Sequence, residues 1–225
     1  MLKYKITDAD GYTRKGQVGA KDWGNNLGKT MEITKTGNTL CSDEVFHFYD
    51  HPALAVILNP IHGNYDTQTM RLWEVEAAEI VAHDGCKGGC KKMTFLKEIP
   101  IPKITIQQKV EFAIRVSLLV YHEKSYTRWA TDWLSGKDRS ADSASAAYSA
   151  AASVNSASAA YSAAASVDST RAAYSAATSV DSTRAAYRAA RAAYSADRAA
   201  DSADRVKISR KFIQIIEKIQ RKGKK

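Results

Sequence analysis

The spacing His83-x-x-Cys86-x3-Cys90 is the one cluster of metal-type ligands in this 225-residue chain. A tetrahedral zinc site takes four ligands, so Cys41 or His47 would have to complete it. The two thiols flank Gly88-Gly89 and the chain has no second tight cysteine pair. That pattern reads as two thiols and a histidine on a hairpin, so no metal is expected, with His83, Cys86 and Cys90 as the weak candidates. The glycines beside Lys87 could also turn backbone N–H groups toward an anion.

Two further segments carry chemistry-bearing side chains. Arg71, Glu74 and Glu76 alternate along one strand, which brings both carboxylates to one face. Such a pair could do acid-base work, or stand as a solvated face with Trp73 and Val75 turned inward. Phe46-His47-Phe48-Tyr49 sets an imidazole among aromatic rings, the pattern of a buried strand with one hydrogen-bonded histidine. The sequence contains no nucleophile elbow, phosphate loop, dinucleotide fingerprint or HExxH.

Turn residues and hydrophobic alternation predict the strands that hold these groups: Leu2–Ile6, Thr30–Thr34, Val45–Tyr49, Met70–Glu76, Glu79–His83 and Met93–Ile99. Gly85, Gly88 and Gly89 are expected to form a hairpin turn. Pro52 opens a short helix over Ala53–Leu58 that Pro60 should stop. Thr105 caps a helix over Ile106–His122, and Ser125–Leu134 forms a second, with Trp129 and Trp133 on one side. The expectation is an α+β domain over residues 1–137, an antiparallel sheet with two following helices.

Beyond Gly136 the composition changes. No Gly or Pro occurs between Lys137 and Lys222, and 27 of the 65 residues in 140–204 are Ala. A 13-residue repeat fills residues 142–193, with Asp or Asn at 142, 155, 168 and 181 and Tyr148, Tyr161, Tyr174 and Tyr187 in register. Alanine predicts helix throughout 138–204. The unit turns through about 1300°, so successive tyrosines lie about 220° apart and both faces need partners. Two arrangements satisfy this: associating rods, or a helix broken at each Asp/Asn-Ser cap with copies stacked and Tyr and Val inside.

Residues 205–225 form a basic amphipathic helix carrying +8 of the net charge of +9. Ile208, Phe212, Ile215, Ile216 and Ile219 recur at helical spacing, while Lys207, Arg210, Lys211, Lys218, Arg221 and Lys222 fill much of the remainder. Such a helix docks on the protein's own helices, on a second copy, on phosphates or on an anionic membrane surface. Three cysteines, an odd number, point to a reducing compartment rather than a disulfide framework. No segment is long and apolar enough to span a bilayer.

Leu40-Cys41-Ser42-Asp43, Phe46-His47-Phe48-Tyr49, Ala53 to Pro60, Arg71-Leu72-Trp73-Glu74-Val75-Glu76 and Trp129-Ala130-x-x-Trp133-Leu134-Ser135-Gly136, with the Ala-rich array that follows, resemble a family of uncharacterised bacteriophage and prophage proteins. The resemblance implies a phage or mobile-element setting, in the host cytoplasm or the virion, and carries no established activity. A more distant similarity is to ADP-ribosyltransferase-like folds. It implies that His47 and Tyr49 flank the nicotinamide of NAD, that Tyr4 or Lys5 approaches it, and that Glu74 or Glu76 orients the ribose. The reading that follows is a non-enzymatic structural or interaction protein without a cofactor, its repeat helices mediating self-assembly or partner binding. The alternatives are an NAD-dependent transferase acting on a host macromolecule and nucleic-acid binding through the basic tail.

Overall fold

The computed structural model describes all residues except 14, 17–18, 41, 85–86, 153–159, 179–181, 200–204 and 223–225. The side chains of residues 150–152, 160–167, 182–183, 197–199 and 205–209 also lie outside the described set. The chain divides into two compact units, Met1–Lys103 and Ile104–Lys225. The fold is α+β, an antiparallel sheet followed by helices.

In the first unit a long hairpin, β6 (Arg71–His83) with β7 (Gly88–Ile99), forms the spine of the sheet. β1 (Leu2–Thr7) pairs with β6, while β4 (Thr30–Glu32) and β5 (Phe46–Phe48) pair with successive parts of β7. Tyr49, just past β5, exchanges backbone hydrogen bonds with Tyr4 of β1, so the sheet closes back on itself. A small separate ladder joins β2 (Tyr12–Thr13) to β3 (Lys21–Asp22). Trp23 follows that ladder into the core, 4.3 Å from Phe95 in a stacked arrangement.

The two strands expected over Met70–Glu76 and Glu79–His83 are one strand. Its irregularity is taken up by register shifts and by Glu79, which adopts φ +54°. Gly88 and Gly89 are not turn residues; they lie in β7 opposite β5. A Cβ on Gly88 would meet the Phe48 ring at 2.2 Å, and one on Gly89 would meet Val45 at 2.7 Å. These glycines serve close approach of a ring to the backbone.

Helix α1 (Pro52–His62) begins at Pro52 as expected, with His51 Nδ1 accepting the Ala53 N–H at 3.2 Å. It does not stop at Pro60. A proline in the last turn removes only one hydrogen bond, and the buried Asn59 amide secures the exit. That amide donates to the Tyr65 carbonyl at 2.8 Å and accepts the Tyr65 N–H at 3.1 Å.

The second unit begins earlier than the change of composition suggests. Helix α2 (Ile106–Ser117) opens with a complete Thr105/Gln108 capping box, and α3 (Lys124–Ser135) ends on Gly136 at φ +82°. Both belong with the alanine helices rather than with the sheet. Val110, Ile114, Tyr126, Trp129 and Trp133 pack against Ala144, Ala147, Ala172, Ala173, Ala189 and Ala192. Large rings and methyl surfaces complement each other, so the alanine helices complete the core that α2 and α3 start.

Among the described residues the repeats form three helices, α4 (Ala141–Ala152), α5 (Ala160–Ala177) and α6 (Ser182–Ala199), with α5 packed against both α4 and α6. They are neither one rod nor a helix broken at every Asp/Asn-Ser. α5 runs through Asp168-Ser169 because those side chains are engaged elsewhere. The Asp168 carboxylate is 3.1 Å from Arg188 and 3.2 Å from Arg191 of α6, and the Ser169 hydroxyl is 2.7 Å from that of Tyr126. The tail helix α7 (Arg205–Lys222) docks on its own unit, burying Phe212, Ile216 and Ile219, with Phe212 edge-on to Phe112.

Ala189 is fully buried whereas Ala177 is exposed. Ala189→Leu should lower the stability of the helical unit by about 1–3 kcal/mol through overpacking, and Ala177→Leu should leave it nearly unchanged. Thermal unfolding followed by circular dichroism at 222 nm checks this contrast.

Candidate functional site

A cleft of about 680 Å³ opens in the first unit, within the range that holds small molecules. Lys5 of β1, His47 of β5, Tyr49, His62 at the end of α1, Tyr65 and Lys87 contribute to its wall. The sheet closure at Tyr4/Tyr49 brings the first two strands together, and the Asn59 amide turns the chain after α1 so that His62 and Tyr65 face the same space. The backbone that carries Lys35, Ser42 and Asp43 forms part of the rim. It is tied down by Lys91, whose ammonium donates to the carbonyls of Lys35 at 2.6 Å, Glu44 at 2.7 Å and Gly37.

Lys5 is 6 % exposed; its ammonium donates to the His47 carbonyl at 2.8 Å and lies 5.6 Å from the Trp23 ring. The Tyr49 hydroxyl and His62 Nδ1 are 3.1 Å apart, with the two rings stacked. Burial, and secondly the charge of Lys87, drive the His62 imidazole down to about 3, so it is neutral at physiological pH and Nδ1 can accept from Tyr49.

Of the residues singled out in the sequence, His47 and Tyr49 line this cleft, whereas Glu74 and Glu76 do not. Glu74 pairs with Lys97 at 3.2 Å, and the exposed Glu76 lies 3.8 Å from the chain's amino group. The carboxylate and imidazole of the transferase-like arrangement are therefore not assembled at one cleft.

His83 is engaged with Asp50 at 2.8 Å, and Asp50 also bonds Lys3. Burial alone would raise the Asp50 carboxyl; the bonds from His83 and Lys3 outweigh it and hold it at about 2. The Cys90 thiol points into the core toward the Phe46 carbonyl at 3.6 Å, and burial pushes it up to about 11. An inert thiol on one strand and a carboxylate-bound imidazole on the other do not converge. Cys86 and Cys41 lie outside the described residues, and no group of three metal-type ligands occurs among the described ones.

In the helical unit two of the repeat tyrosines, Tyr174 and Tyr187, are exposed, at 45 % and 41 %, while the alanine pairs before them, Ala172-Ala173 and Ala185-Ala186, are buried. Tyr148 is covered by Arg171, whose guanidinium sits 4.4 Å over the ring and bonds its hydroxyl. The Tyr161 side chain lies outside the described residues. On α7, Phe212 and Ile219 are interior, Ile215 is half-buried, and Arg210, Lys211, Lys218, Arg221 and Lys222 are exposed. Arg221 pairs with Glu217 at 3.4 Å, and Lys222 lies 3.7 Å from Glu111. The side chains of Lys207 and Ile208 lie outside the described set. No helix among the described residues is long and apolar enough to cross a membrane.

Asn59 and His62 stand out in no motif of the sequence, whereas Lys5 belongs to the transferase-like resemblance and Lys87 to the candidate anion-binding glycine segment. The one signal for His62 is its place just beyond Pro60, where the sequence predicts the end of the helix.

The depressed His62 value carries a pH signature. The unfolded chain takes up this proton near 6.5 and the folded chain only near 3, so stability is full above 6.5 and falls as pH drops through that window. Between pH 6.5 and 4 the loss should be about 2 kcal/mol, allowing for partial exposure. His62→Asn, which keeps an acceptor for Tyr49, should flatten the dependence in urea unfolding followed by tryptophan fluorescence. Parallel curves for the two proteins would assign the effect to another group.

No family model, curated protein or solved structure matches the chain.

Proposed function

We propose that this chain is a non-catalytic structural protein that associates through its helical repeat unit, in a phage or prophage setting. The observation that carries the reading is the division of labour within two Ala-Ala-Tyr units, 172–174 and 185–187. The alanines are consumed in packing α5 against its neighbours, and Tyr174 and Tyr187 remain on the surface. Tyrosine and arginine are the residues that contribute most at protein interfaces, and Arg171 and Arg184 stand beside these tyrosines in sequence. The Arg171–Tyr148 stack inside one chain is the kind of contact two copies would make across an interface. The phage setting rests on the resemblance of the N-terminal segments and the Ala-rich array. The NAD-dependent alternative is disfavoured by the absence of Glu74 and Glu76 from the cleft lined by His47 and Tyr49.

The full chain should sediment or scatter light as more than one copy. Tyr174→Ser with Tyr187→Ser should weaken association by about thirtyfold or more, the scale of one interface hot spot, with the melting temperature unchanged. A monomer at every concentration would remove self-association.

A second reading, binding to a nucleic-acid backbone, is supported by α7. Its apolar face is occupied within its own unit, while Lys211 and Lys218 remain exposed. Lys211→Glu with Lys218→Glu should reduce the slope of log affinity against log salt by about 2 for a random duplex. An unchanged slope in filter binding or fluorescence anisotropy across a salt series would eliminate α7 as the contact.

A further inference from the structure

The segment between β4 and β5 has both of its ends on neighbouring residues of β7. At one end the Ile33 N–H donates to the Lys91 carbonyl at 2.9 Å, and at the other Phe46 pairs with Cys90. None of the described residues of 34–44 belongs to a strand or helix. A stretch of about this length whose ends meet is an Ω-type loop, held in shape by its own side chains. Lys35 bonds Asp43, the Ser42 hydroxyl donates to the Thr39 carbonyl at 2.6 Å, and the Thr39 N–H donates to the Glu44 carboxylate at 3.0 Å. These bonds stay within the segment, so they hold its shape whatever its position on the sheet.

Its position is set by different contacts. The Lys91 ammonium donates to the carbonyls of Lys35, Gly37 and Glu44, spending all three of its protons on this one segment. Leu40 and Val45 lie over Gly89, where an added Cβ would meet them at 3.0 Å and 2.7 Å. Without the ammonium, three carbonyl oxygens turned toward one point would lose their common donor. Thr34, Lys35, Ser42 and Asp43 line the cleft of the first unit, and Val45 and Phe46, 3 % and 4 % exposed, continue that lining.

We propose that residues 34–44 form a strap at the rim of this cleft and that the Lys91 ammonium is its latch, so that loss of this one charge lifts the strap about its two anchors and opens the cleft. Hinged segments of this kind commonly gate binding sites. The device is separate from the helical surface invoked for self-association, so either can fail without the other.

Limited proteolysis of the full chain by a glutamate-specific protease reads the strap, because cleavage between Glu44 and Val45 requires it to lift from the sheet. Lys91→Met keeps a long side chain and removes the charge. It should accelerate cleavage after Glu44 about tenfold or more, the scale of lost charge-assisted hydrogen bonds, and leave cleavage after Glu98 of β7 unchanged. Anilinonaphthalene sulfonate fluorescence should rise with it as Val45 and Phe46 become accessible. Lys91→Ala should behave alike. There n-propylammonium, which replaces the deleted part of the side chain, should slow cleavage again, and tetramethylammonium, a cation without donors, should not. Equal rates in the wild type and Lys91→Met would overturn the latch. So would equal acceleration after Glu98, which would mean that the sheet itself unfolds, or failure of n-propylammonium to restore protection. Faster cleavage without the dye signal would overturn the opening of the cleft.

Discussion

Two backbone elements can approach only as closely as their facing side chains allow. Both units of this chain are organised around places where those side chains are reduced to a methyl group or a hydrogen. In the helical unit, Ala172, Ala173, Ala189 and Ala192 give flat surfaces on which the rings of Trp129, Trp133 and Tyr126 can lie. In the sheet unit, Gly88 admits the Phe48 ring and Gly89 admits Val45 against the β7 backbone. Adding one carbon at Gly88 would collide with a ring that is itself fully buried. The architecture therefore depends on absent atoms as much as on present ones.

Smooth alanine surfaces create a problem of register, because one methyl ridge slides past another at little energetic cost. Polar contacts at a few interior positions resolve it. Asp168, 2 % exposed in the middle of α5, faces Arg188 and Arg191 of α6, and burial lifts its carboxyl above the usual range despite those two cations. One turn of slippage would strand the carboxylate without its guanidinium groups. Nearby, the hydroxyls of Ser117, Tyr126 and Ser169 converge across α2, α3 and α5, and burial pushes the Tyr126 phenol up to about 12. These contacts convert a general affinity between alanine helices into one alignment.

Local rules expressed in neighbouring residues are legible in the sequence alone. The Thr105 cap, the Pro52 helix start, the antiparallel hairpin and the helical nature of the repeat all depend on short-range chemistry. Packing across the chain was less legible. Gly136 looked like a domain boundary because composition changes there, yet it only ends α3 in a left-handed conformation. The tryptophans before it needed the methyl surfaces that come after it. The cleft was visible only in part. His47 and Tyr49 stand out as polar groups in an aromatic strand, but Lys5, His62 and Lys87 reach the same space through sheet closure and the Asn59-held turn. A lysine on a first strand carries no mark of being buried.

The helices of the repeat region are not in step with the repeat itself. Asp168, the boundary between the second and third copies, is continuous helix, whereas α4 ends before the boundary at Asn155 and α6 starts just after the one at Asp181. The single pass of the chain made by α5 therefore consumes two copies. Tandem duplication of such a pair would add one further pass and reverse the direction in which everything downstream runs, so growth or shrinkage of the array by pairs alternates the heading of α7.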